Sequence, residues 1–364
     1  MSYGWPSGNV LVDKDFHTLR CGPEPAIEAV ADHVRPSSLD MPVGKRIWQV
    51  SGIPTTADGF NAQSFIDEYA VNDFTVMSDR LTLTPGNYFL MELEPRFKLP
   101  KVVSGLVNAK SSAGRTDLFC PVLADGCKEF NVVPSGYEGS LYQLLVPQSF
   151  AVRNLVGHDF VQLRLFEGQR KFLTGYELEY LHRQNPLVVN DTPTHITDEG
   201  LMLHLDLQSY SPEYLVAIPN GKPIDVQTRN NNPAFYFRHK QKDSQGRLFL
   251  ERNEFLLACT VEEIQIPPHV CSEMLPYREY QGEIRSHYAG FFDPGFRGTI
   301  VCEIRNIGTA PIILSHGQPI AMCRYEALRA LPSSQYGAAV EGSKQSHYQG
   351  QTGVRLAKYF QPWA

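Results

Sequence analysis

Three places along the chain gather side chains able to do chemistry. The run Lys110-Ser111-Ser112-Ala113-Gly114-Arg115 puts two hydroxyls, backbone amides beside a glycine and two cations within six residues. Hydroxyl and amide donors match the oxygens of a phosphate chain, and a guanidinium adds a planar fork. The same composition also suits an ordinary polar turn. Glu303 is a carboxylate between Cys302 and Ile304 in an apolar run. Burial there disfavours its charge and raises its pKa toward a range useful for proton transfer, unless the strand turns it out to solvent. Asp293 opens Asp293-Pro294-Gly295, where it is either a turn cap or a second carboxylate of the same site.

The elements that must position these groups are strands. The 26 prolines and 28 glycines are scattered and punctuate short runs rich in Val, Ile, Leu, Phe and Tyr, the pattern of an all-β architecture with many turns. Strands are predicted at 81–83, 88–93, 141–146, 160–166, 255–261, 299–304, 311–314 and 320–325, and 289–306 reads as a strand, a tight turn and a second strand. Helical periodicity is short and local, at 25–33 and 62–69.

Internal similarity links the two halves. The stretch from Tyr88 to Pro100 parallels that from Phe255 to Pro267, 167 residues later. Tyr137-Glu138-Gly139-Ser140-Leu141 parallels Phe296-Arg297-Gly298-Thr299-Ile300, and the stretch from Gln162 to Glu167 parallels that from Ala321 to Glu326, both 159 residues later. One β-fold is written twice, with eight fewer residues between Pro267 and Gly298 in the second copy. Linker composition near 184–193 divides the chain into domains 1–190 and 191–364.

The 364 residues are 42% hydrophobic and 20% charged, enough for a packed core and too ordinary for disorder. A net charge of -6 argues against a nucleic-acid polymer as partner and leaves room for a local basic pocket holding one phosphorylated molecule. Seven cysteines, an odd number without a C-x-x-C pair, speak against a disulfide framework or a common structural zinc site. Those in apolar runs, such as Cys259 and Cys302, read as core residues. There is neither a leader-like start nor an apolar run approaching about 18 residues, so a cytoplasmic protein without membrane contact is expected.

Together these segments resemble the dUTP pyrophosphatase and dCTP deaminase superfamily, and most closely its long, internally duplicated dCTP deaminases. The hairpin around Asp293 looks like the family's nucleoside cradle, and the serine-arginine segment like its phosphate contact. Arg35-Pro36-Ser37-Ser38-Leu39-Asp40, Leu83-Thr84-Pro85-Gly86 and Gly317-Gln318-Pro319-Ile320 resemble further family segments, and His347-Tyr348-Gln349-Gly350-Gln351 resembles the deaminase tail. The resemblance implies a tandem, distorted dUTPase-like β-barrel or jelly roll. It implies that Glu303 is the general base of dCTP deamination, that Lys110, Ser111, Ser112, Arg115, His347, Tyr348 and Gln351 meet the phosphates, and that Ala289, Phe291, Asp293 and Phe296 form the nucleoside hairpin. Magnesium would enter only with the triphosphate. Zinc is not expected, because no histidine is followed two residues later by glutamate and no C-x-x-C exists, so the zinc-deaminase elements are missing. Implied partners are dCTP, with dUTP or dTTP as further nucleotides, and other copies of the chain in a homo-oligomer. Asp293 leaves a dUTP diphosphatase, or a bifunctional enzyme, as the alternative; a nucleotide-binding regulator without catalysis is the third reading.

Each half departs from the family pattern. The first copy has no glutamate in the strand from Leu141 to Leu145, and the second replaces the serine-arginine segment with residues around 275–280. The halves are therefore complementary. Family sites are built between subunits of a trimer, and a ring of three cannot alternate two kinds of half. Either the halves meet across a different interface, or another residue such as Glu129 or Glu138 serves the first half. The tail has His347 where the family has lysine, which would make its phosphate contact depend on pH.

Overall fold

The computed structural model describes residues 8–21, 24–28, 31–56, 59–74, 81–210, 214–277, 284–286, 289–338 and 346–363. Six principal strands build the first half: β1 (Leu39–Val50), β2 (Tyr88–Lys98), β3 (Val103–Ala109), β4 (Val132–Val133), β5 (Glu138–Pro147) and β6 (Asp159–Glu167). Six more build the second: β7 (Gly200–Asp206), β8 (Phe255–Gln265), β9 (Val270–Pro276), β10 (Phe291–Phe292), β11 (Arg297–Asn306) and β12 (Pro319–Ala327). The first set pairs in the order β5-β2-β1-β6-β3-β4 and the second in the order β11-β8-β7-β12-β9-β10, antiparallel throughout. This is the duplication seen in three dimensions, and it gives an all-β fold of two like halves, as expected. Register agrees as well, since Leu144 lies opposite Leu90 where Glu303 lies opposite Leu257.

Every predicted strand is present, and the segment at 62–69 forms helix α2 (Ala62–Tyr69), with Asn61 accepting from Ser64 N at its start. The described residues of the helix expected at 25–33 are not α-helical; residues 29 and 30 lie outside the described residues. Ile27–Glu28 instead extends the β2 edge, and Ala31–His33 is one 3-10 turn. Pairing with Phe97 and Arg96 satisfies backbone groups that a single helical turn would leave open. Three helices escaped the periodicity: α1 (Asp13–Arg20), the single turn α3 (Ser111–Gly114) and α4 (Gly175–Gln184), the last opened by a Thr174/Glu177 capping box.

The halves are joined by apolar packing. One core cluster runs from Leu118, Cys120, Phe150 and Leu155 of the first half to Leu257, Cys259 and Val301 of the second, and takes in Val354, Leu356, Tyr359 and Phe360 of the tail. A second cluster gathers the second-half strands with Leu173, Leu178, Leu181, Leu187 and Val188 of the segment that precedes them. Strand β11 serves both: alternation sends Ile300, Cys302 and Ile304 into the second-half core and Val301 into the junction. Six of the seven cysteines are buried, all seven are free, and no described helix is long and apolar enough to cross a membrane.

Candidate functional site

Glu303 shares the face of Val301, so it points away from Cys302 and Ile304 and toward the first half. It is not turned to solvent: only 1% of its surface is exposed. What covers it is the serine-arginine segment, which forms helix α3 (Ser111–Gly114). A Cβ on Gly114 would sit 2.3 Å from Glu303 Oε2, so only glycine lets the two elements touch. From the hairpin, Ala289 N donates to the same oxygen at 3.2 Å. Residues from both halves thus meet in one chain at one carboxylate.

Arg115 leaves α3 almost fully buried. One guanidinium nitrogen donates to Gln351 Oε1 at 3.1 Å and another to the carbonyl of Arg355, while the plane stacks on Tyr348, 4.0 Å from the ring centre. Burial pulls its pKa down from the ordinary arginine value, opposed by Tyr348 and the nearby charge of Glu303. Gln351 ties the tail to β11 as well, its amide donating to Thr299 O at 2.6 Å. Gly298, at φ +148, makes room for the tail backbone here, since a Cβ would meet Gln351 O at 2.7 Å. Tyr348 hydroxyl meets Ser112 Oγ and accepts from Lys358 N.

The remaining predicted residues fall around this centre in different roles. Lys110 Nζ lies 2.6 Å from Asp40 and also pairs with Asp159; burial opposes its charge, but the two carboxylates win and its pKa is raised. Asp293 is buried and accepts from Ser37 N at 3.0 Å and Ser37 Oγ at 2.9 Å, so the Arg35-to-Asp40 segment of the first half grips the hairpin turn of the second. Burial pushes its pKa up to about 6, with Ser37 opposing. Phe296 packs in the second-half core, and Phe291 in a small cluster with Val10, Val12 and Phe166. His347 is half-buried; burial, then Arg115, Arg355 and Arg229, draw its pKa down to about 4. Its ring is therefore neutral near pH 7.5. Residues 278–280 of the second-copy counterpart lie outside the described residues.

The two copies differ at the face that carries Glu303. On the first half, the face equivalent to that of Glu303 carries Leu144, Leu90 and Trp48, and it is packed beneath Phe60 and Phe65 at α2. Among the described residues the Glu303 face of the second copy meets the first half, and the equivalent face of the first copy is filled by apolar side chains. Glu129 and Glu138 are both solvent-exposed. The contributions of Ser37, Arg355 and Asp40 were not singled out in the sequence, although Ser37 and Asp40 lie in a segment that family resemblance had already marked.

Comparison with known proteins places this arrangement. The family model for the N-terminal domain of 2'-deoxycytidine 5'-triphosphate deaminase matches residues 24–169, and that for its C-terminal domain matches residues 174–360. The chain belongs to the dCTP deaminase family. Among the family, a dCTP deaminase from Natronomonas pharaonis is 36% identical over 112 residues, 30% of this chain and 55% of that protein. A dUMP-forming dCTP deaminase from Methanosphaera stadtmanae is 35% identical over 147 residues, 40% of this chain and 71% of that protein. The crystal structure of the deaminase from Agrobacterium tumefaciens superposes with a TM-score of 0.81 at 27% identity, covering 90% of this chain and all of that one.

Proposed function

We propose that the protein hydrolyses dCTP to dUTP and ammonia, with Glu303 as general base. The observation that carries this reading is the buried Glu303 carboxylate, held by Ala289 N–H and walled by Gly114, with Arg115 beside it. Glu303 takes a proton from water, and the hydroxide adds to C4 of cytosine. The carboxyl gives that proton to N3, then takes the proton of the new C4 hydroxyl and passes it to the amino group; the C4–N bond breaks, ammonia leaves and C4 becomes a carbonyl. The neighbouring guanidinium favours the ionised base and the charge that develops as water adds. Ser111, Ser112, Arg115 and Gln351 receive the phosphates, and the hairpin from Ala289 to Phe296 receives the nucleoside. No step draws on zinc, and magnesium travels with the triphosphate. Several copies of the chain associate in this reading.

The test is product analysis of purified protein with dCTP, alongside Glu303→Gln. Wild type releases ammonia and dUTP, whereas the variant binds dCTP and releases at least ~10³-fold less ammonia; unchanged turnover in the variant removes Glu303 from the mechanism. Asp293 favours a second reading, since a buried carboxylate is fixed in the hairpin and several relatives are named as dUMP-forming. Formation of dUMP and pyrophosphate would establish it. Binding without turnover would mark a regulator.

A further inference from the structure

We infer that Asp117 and Arg305, bridged by Ser149, are positioning residues that hold α3 and β11 in register. The inference rests on the reading of the site above. Asp117 follows Arg115 by two residues and Arg305 follows Glu303 by two, so one ion pair joins the two elements just beyond their contact. Arg305 Nη1 donates to Asp117 Oδ2 and, at 3.2 Å, to Ser149 Oγ; Ser149 Oγ donates to the same carboxylate oxygen. Asp117 is fully buried and Arg305 is 12% exposed at its side chain.

The backbone of Asp117 is fixed as firmly as its side chain. It adopts φ +53, which a residue other than glycine adopts only when its surroundings hold it there. Its N–H donates to Gly114 O at 2.9 Å and its carbonyl accepts from Gln148 N at 3.1 Å. A four-residue helix cannot hold its own position, so the turn that follows it and ends at Asp117 sets where Gly114 and Arg115 lie. On β11 the side chains of Glu303 and Arg305 share a face, about 7 Å apart along the strand. The apolar junction is non-directional; Ser37 on Asp293 and Arg115 through Gln351 on Thr299 O add direction around it, and the Asp117–Arg305 pair adds a direct charged tie between the turn after α3 and β11. A buried, hydrogen-bonded charge pair is directional and sets the distance between Gly114 and the Glu303 carboxylate.

Displacement of a reacting group by about 1 Å is enough to cost on the order of 10²-fold in rate. Asp117→Asn and Arg305→Met are expected to melt as folded proteins, to lower kcat for ammonia release by roughly 10- to 100-fold, and to leave dCTP affinity within about threefold. Arg305→Lys, which keeps the charge, should recover at least about fivefold over Arg305→Met. A purely structural role would lower the melting temperature without separating kcat from affinity or Lys from Met. Folded variants with wild-type kcat, or equal losses for Lys and Met, overturn the inference. Should both charge-removing variants fail to fold, Ser149→Ala decides: a kcat lowered about threefold supports the bridge, and an unchanged kcat refutes it. Wild type measured in parallel separates the two levels, since an inactive wild type refutes the reading of the site, and an active wild type with unaffected variants refutes only the positioning role.

Discussion

Gly114→Ala isolates the contact on which the site depends. The added methyl would lie 2.3 Å from Oε2, 2.5 Å from Cδ and 2.6 Å from Oε1 of Glu303, so the carboxyl must retreat by about 1 Å to reach ordinary contact. It cannot retreat freely, because the side chain is buried and one oxygen is held by Ala289 N. A misplacement of that size predicts a kcat for dCTP deamination lowered by on the order of 10²-fold. Crowding a buried contact costs about 1–3 kcal/mol, so a modest loss of melting temperature accompanies the loss of rate. The assay is steady-state ammonia release with a parallel thermal melt. A folded variant with kcat within twofold of wild type would show that the Glu303 position tolerates a displacement of this size, and the general-base geometry would fall with it.

Three further outcomes follow from the charges. Arg115→Ala should weaken dCTP binding by at least tenfold more than deoxycytidine binding, measured by calorimetry, and equal losses would contradict the phosphate role. His347→Lys supplies a cation where the neutral imidazole has none at pH 7.5, and should tighten dCTP about fivefold while leaving deoxycytidine unchanged; no gain would place the phosphates elsewhere. Asp293 has a folded pKa raised from 3.8 to about 6, chiefly by burial, so the folded state keeps a proton that the unfolded chain has released. Its contribution therefore falls as pH rises through about 4 to 6, by on the order of 2–3 kcal/mol. In denaturant melts between pH 4.5 and 7.5, Asp293→Asn should flatten that decline; identical pH profiles for the two proteins would remove Asp293 as its source.

Strand positions and the repeat were legible because alternation and turn residues are local properties, and because two copies of one pattern check each other. Helices α1 and α4 were less so, since eight or ten residues with one buried face give a weak period, although Thr174-x-x-Glu177 was a readable start. The candidate groups could be named from residue type and resemblance: Glu303 lies against Gly114 of the Lys110-to-Arg115 segment, and Asp293 is held by Ser37 of the first half. Sequence alone therefore determined an all-β duplicated chain and the chemistry available to each half. Only the tertiary structure decided that the halves meet face to face within one chain, that α2 fills the first copy's junction face with Phe60 and Phe65, and that Lys110 is held by Asp40 and Asp159. These are matters of which surfaces cover which across long stretches of chain. Local pattern gives the face a side chain is on, and only packing gives what lies opposite it.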